Sequence, residues 1–130
     1  MRLPLEAIEF GAFGGTNFAK TELLRDSSNS KELFEPLSLI GMDAIQMVEA
    51  INEILETKNN ILCKQVIISG GIKTFLDGYF LIKKCKIPSV YGQASSLLKF
   101  AKEDYELLRE YVANQIQGLE MAYSFLTIRE

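Results

Sequence analysis

The hydrophobic pattern changes period along the chain, and the changes mark its elements. Val66-Ile67-Ile68 is an unbroken β-branched run, which predicts a short strand buried on both faces. Ser69-Gly70-Gly71 ends it. Thr74 then opens a helical segment over residues 75–84, in which Phe75, Leu76, Tyr79, Phe80 and Ile82 supply the buried side and Asp77 faces solvent. The same order recurs twice. Ala7-Ile8-Glu9-Phe10 runs into Gly11-Ala12-Phe13-Gly14-Gly15-Thr16-Asn17, and Ser89-Val90-Tyr91 runs into Gly92-Gln93-Ala94-Ser95-Ser96. Ile45, Val48, Ile51 and Leu55, widened by Met47 and Ile54, predict a core-facing helix over residues 43–56. Tyr105, Leu108, Val112, Leu119, Tyr123 and Leu126 predict an amphipathic terminal helix over residues 104–127 that packs over the unit. The polar run at residues 25–31 reads as a loop.

Strands alternating with helices through short connections predict an α/β fold with parallel strands, about three βα units sharing one ligand end. Parallel sheets are covered on both faces and usually belong to larger sheets, so a missing N-terminal partner is expected. The corners carry the candidate chemistry. A helix beginning near Thr74 aims its unpaired N–H groups and the positive end of its dipole at Gly70-Gly71, and Lys73 adds a cation. Such a corner favours a phosphate. Gly11, Gly14 and Gly15 either shape a structural loop or let the backbone approach a phosphate or cofactor.

Composition narrows the function. With a net charge of -3 and dispersed basic residues, the chain has no general attraction for nucleic acid. The cluster Lys83-Lys84-Cys85-Lys86 is explained by the helix end before it, where cations are favoured. No apolar run approaches the roughly 20 residues of a membrane span, and no signal peptide is visible, so a cytoplasmic chain is expected. Cys63 and Cys85 show no metal-ligand spacing and read as free thiols. The absence of histidine excludes Ser-His-Asp and Cys-His nucleophile systems and any His-based zinc site within the chain.

Phe10-Gly11-Ala12-Phe13-Gly14-Gly15-Thr16-Asn17-Phe18, Ile67-Ile68-Ser69-Gly70-Gly71-Ile72-Lys73-Thr74 and Tyr91-Gly92-Gln93-Ala94-Ser95-Ser96-Leu97-Leu98 resemble the C-terminal part of the type 2 isopentenyl diphosphate isomerases. The likeness extends to the closing Gln117-Gly118-Leu119-Glu120-Met121-Ala122-Tyr123-Ser124-Phe125-Leu126. It implies the C-terminal part of a TIM (β/α)8 barrel, residues 1–130 being one partial barrel domain. It implies FMN in its reduced form, with Mg2+ and NADPH in the full-length family, and interconversion of isopentenyl and dimethylallyl diphosphate. Carried over residue by residue, it puts Thr16 on the flavin, Gly70, Gly71 and Lys73 at the FMN phosphate, and Ala94 and Ser95 in the same phosphate cup. No catalytic residue and no metal ligand is carried over.

The chain also departs from the family pattern. Gly11 stands where the family has Ser and Phe13 where it has Arg, so a flavin contact and a charge are lost. Lys73 replaces a common Arg, keeping charge without bidentate geometry, and Ser95 replaces a common Gly. The family's diphosphate-binding residues, catalytic polar residue and acidic metal ligand belong to the N-terminal half. The competing readings are a non-catalytic half-barrel that binds FMN or phosphate, and part of a related flavin oxidoreductase. Expected partners are the missing barrel half and further copies of the chain, since an open barrel edge favours self-association.

Overall fold

A computed structural model describes residues 1–25 and 31–129. The three strands β1 (Ala7–Gly11), β2 (Gln65–Ser69) and β3 (Ser89–Gly92) form a parallel sheet in the order β1-β2-β3. Between β1 and β2 run α1 (Phe18–Arg25), α2 (Lys31–Phe34), a 3-10 turn at Glu35–Leu39 and α3 (Ala44–Thr57). α4 (Phe75–Lys84) joins β2 to β3, and α5 (Ser95–Ala101) and α6 (Tyr105–Phe125) follow. Gly11, Ser69 and Gly92 are in register, so the strands end level and their following loops leave from one end of the sheet. The chain is thus α/β with a small open parallel sheet.

The core lies on one side of that sheet. Phe10, Val66 and Ile68 point from the strands toward Val48 and Ile51 of α3 and Leu81 of α4, all in one buried cluster. On the opposite face Glu9, Ile67 and Val90 are in register, and Glu9 and Val90 are exposed. The expectation of a strand buried on both faces therefore meets only half its cover, because among the described residues no helix packs over the Ile67 side.

Helix limits follow their caps. Asp43 and Gln46 form a capping box that starts α3, and Asp104 caps α6 by accepting from the Glu106 N–H. In α4 the box is Thr74 with Asp77, so Asp77, though exposed, is the acceptor that starts the helix as well as a solvated charge. Leu76 faces outward, and Leu81 takes the buried place the apolar pattern gave it. The departure in α6 is larger. Its buried residues are Gly118 and Ala122, whereas Tyr105, Val112 and Tyr123 of the expected stripe are exposed. The reason is close approach to α4: a Cβ on Gly118 would lie 2.6 Å from the Phe75 ring. α1 buries no residue and so left no periodic signal; it starts where Asn17 Oδ1 accepts from the Lys20 N–H. Of the polar run at residues 25–31, Arg25 closes α1, Lys31 opens α2, and residues 26–30 lie outside those described. Cys63 is buried and Cys85 half-buried, both as free thiols.

Candidate functional site

The strand-end loops after β1 and β2 are packed backbone against backbone. The Ala12 N–H donates to the Ser69 carbonyl at 2.8 Å, continuing the ladder past the end of the strands. Beyond it Gly70 and Gly71 take φ of +96° and +75°, which residues with a Cβ rarely adopt. A Cβ on Gly70 would lie 2.2 Å from the Ala12 carbonyl oxygen. Cβ atoms on Gly14 and Gly15 would lie 2.9 Å from the Cα atoms of Gly71 and Gly70. The two glycine pairs therefore face each other, and the contact between the loops exists because all four positions lack side chains.

These loops and the one after β3 open into a single cleft of about 780 Å³ at the strands' C-terminal end. Gly14 and Thr16 line it from the first loop, Gly70 and Gly71 from the second, and Ala94 and Ser95 from the third. Of the six residues carried over from the family, the structure brings Thr16, Gly70, Gly71, Ala94 and Ser95 together and leaves Lys73 out. Lys73 does not line the cleft. The backbone N–H groups of Gly70 and Gly71 donate to no described residue, which leaves two donors in the wall.

The start of α4 is partly occupied by the protein's own carboxylate. Asp77 Oδ2 accepts from the Lys73 N–H at 3.1 Å, the Thr74 N–H at 2.9 Å and the Thr74 hydroxyl at 3.0 Å. Partial burial pushes the Asp77 carboxyl up, but the backbone donors of Thr74 and Lys73, the Thr74 hydroxyl and the Lys73 charge together outweigh it and hold the group below its ordinary value of 3.8. Anion-binding capacity at this corner thus rests on Gly70 and Gly71 more than on the first helical N–H groups.

Glu9 and Gln93 line the cleft without having been candidate site residues. Glu9 is the one ionisable side chain among the residues lining the cleft, and it projects from the uncovered sheet face. Its signal in the sequence is a charge inside an otherwise apolar strand. Gln93 lines the third loop and reaches the Lys73 carbonyl through Nε2; no pattern in the sequence gives that contact.

A second cavity of about 200 Å³ shares Gly70, Gly71 and Ile72 with the cleft and is also lined by Asp43 and Asp77. Both carboxylates are engaged in helix caps. Among the described residues no group of three or more His, Cys, Asp or Glu side chains gathers as a metal site, and no helix is long and apolar enough to cross a membrane. Comparison with protein families, curated proteins and solved structures finds no match to the chain.

Proposed function

We propose that the chain is the C-terminal portion of a flavin-dependent isomerase resembling the type 2 isopentenyl diphosphate isomerases, whose three strand-end loops hold the phosphate end of FMN. In this reading the sheet is an arc of a (β/α)8 barrel. The convergence of all three loops on one cleft carries the proposal. In parallel α/β architectures ligands bind at the C-terminal ends of the strands, and barrels commonly grip phosphate in their last units. The cleft's size falls within the roughly 300–1,000 Å³ of small-molecule sites. Its glycine wall fits a phosphate, since Gly70 and Gly71 bring backbone donors with no side chain in the way. The uncovered face and unpaired edges of the sheet fit a surface that further barrel strands would cover.

Bound FMN supplies acid and base chemistry at carbon for interconverting isopentenyl and dimethylallyl diphosphate. Mg2+, NADPH and the diphosphate-binding residues belong to the complementary portion. Within this chain Gly70, Gly71, Ala94 and Ser95 would hold the phosphate and Thr16 would offer its hydroxyl to the flavin, while Lys73, which does not line the cleft, would add only its charge nearby. A second reading, a phosphate-binding module without turnover, is favoured by one observation: among the described residues lining the cleft only Glu9 is ionisable, so the lining holds no acid–base pair.

Complementation separates the two. The chain is mixed with the separately produced N-terminal portion of a type 2 isomerase, and FMN binding and isomerisation are measured with reduced FMN and magnesium. Activity in the mixture and none in the chain alone is the expected result. A chain that binds FMN but ignores the partner supports the module, and one that binds neither FMN nor phosphate in any combination refutes both.

A further inference from the structure

Lys73 has both of its backbone groups held by side chains. Its N–H donates to Asp77, and its carbonyl accepts from Gln93 Nε2 and, at 3.3 Å, from Ser96 Oγ. Gln93 and Ser96 belong to the loop after β3 and to α5, so their contacts cross from the third strand-end loop to the second. The half-buried Gln93 is braced from behind. Its Nε2 also donates to the Tyr111 hydroxyl of α6 at 3.3 Å, and the Tyr111 ring stacks on Phe100 of α5 with centroids 4.5 Å apart.

Secondary structure alone does not require an amide here. α5 has no side-chain cap, and Ala94 occupies its N-cap position. An amide can donate to a carbonyl, whereas a carboxylate of the same shape presents an acceptor to an acceptor and a thioether offers no donor. The bond also occupies the negative pole of the Lys73 carbonyl, two residues from a glycine wall that offers donors to an anion.

We infer that Gln93 is a positioning residue that locks the third strand-end loop to the second and so tunes the cleft for a phosphate over a neutral ligand. The inference rests on reading the cleft as a phosphate site. It adds a residue whose role is to hold the Lys73 backbone and not to touch the ligand's phosphate.

The test uses the full chain as wild type, Gln93→Glu and Gln93→Met. Hydrogen exchange of residues 70–74 and 94–96 is followed without ligand, and affinities for FMN and for riboflavin are measured by flavin fluorescence. Both variants should keep the far-ultraviolet circular dichroism spectrum, exchange faster in both segments, and lose roughly three- to tenfold of the FMN preference over riboflavin, the scale of one hydrogen bond. Tyr111→Phe, which keeps the ring stack, should change that preference less. Unchanged exchange in both variants overturns the lock. Faster exchange with an unchanged FMN to riboflavin ratio overturns the role in ligand preference. A wild-type chain that binds both flavins equally refutes the phosphate reading of the cleft, while the exchange result still decides whether the lock exists.

Discussion

An alanine at position 70 would put its Cβ 2.2 Å from the Ala12 carbonyl oxygen and 2.6 Å from the Ala12 nitrogen. Both obstacles are backbone, so no rotamer change relieves them. The new residue would also have to keep φ near +96°. Left-handed backbone costs a residue with a Cβ about 1–2 kcal/mol. Overpacking adds about 1–3 kcal/mol, for a total of roughly 2–5 kcal/mol. The alternative to bearing that strain is separation of the loops, which breaks the Ala12 to Ser69 hydrogen bond and the glycine contact beyond it. Against a typical domain stability of about 5–15 kcal/mol either route is large. For a chain of this size the unfolding midpoint should fall by roughly 10–20 °C. Scanning calorimetry measures the fall, with Gly11→Ala and Gly92→Ala as controls. There a Cβ meets ordinary contacts, 3.8 Å from Phe18 and 3.5 Å from Ser69. A Gly70→Ala chain that melts within about 2 °C of wild type, or no lower than the controls, refutes the packing argument.

Asp77→Ala should cost about 1 kcal/mol through loss of the carboxylate half of the α4 capping box, measured by urea unfolding at neutral pH. Because the folded carboxyl lies below its ordinary 3.8, the contribution is present above that pH and disappears as pH falls through the folded value, so the stability gap between wild type and variant should close in acid. Gly118→Ala should destabilise by about 1–3 kcal/mol by driving a methyl into the Phe75 ring, and Phe75→Leu in the same chain should recover part of the loss; additive losses in the double-mutant cycle would contradict the contact. Tyr79→Phe removes the 2.6 Å bond from the buried tyrosine hydroxyl to the Leu126 carbonyl and should cost about 0.5–1.5 kcal/mol, with faster amide exchange confined to the end of α6 and the residues after it.

The parts of the fold legible in the sequence are those set by local chemistry. The Val66-Ile67-Ile68 run becomes the central strand, and Thr74 caps α4 at the residue where the pattern turns helical. α3 and α6 start at the aspartates before them, so their limits fall within about two residues of the periodic stripes. What depends on tertiary contact was not legible. The apolar stripe of α6 gives the helix but not the side that packs, since the packed side is marked by Gly118 and Ala122, whose smallness is a signal only once Phe75 is opposite. The first-loop glycines admitted a structural or a ligand role from sequence. Their packing on Gly70 and Gly71 accounts for them structurally while leaving them on the cleft wall. Lys73 illustrates the reverse: its position after the glycines put it in the candidate site, but the turn carries its backbone into contacts with Asp77 and Gln93, and its residue is not among those lining the cleft.

The facing glycine pairs also limit how the cleft can change over generations. Its glycine wall is main chain in which a Cβ on Gly14, Gly15 or Gly70 would lie under 3.0 Å from the facing backbone, so substitutions there strain the contact between the loops more than they reshape the cleft. New ligand preferences must therefore arise around the glycines, where Glu9, Thr16 and Ser95 line the space with side chains that can be exchanged, while Gln93 is tied to holding the second loop. A library restricted to Glu9, Thr16 and Ser95 would sample altered ligand recognition while leaving the glycine contact intact, whereas one that included the glycines would mostly yield destabilised protein.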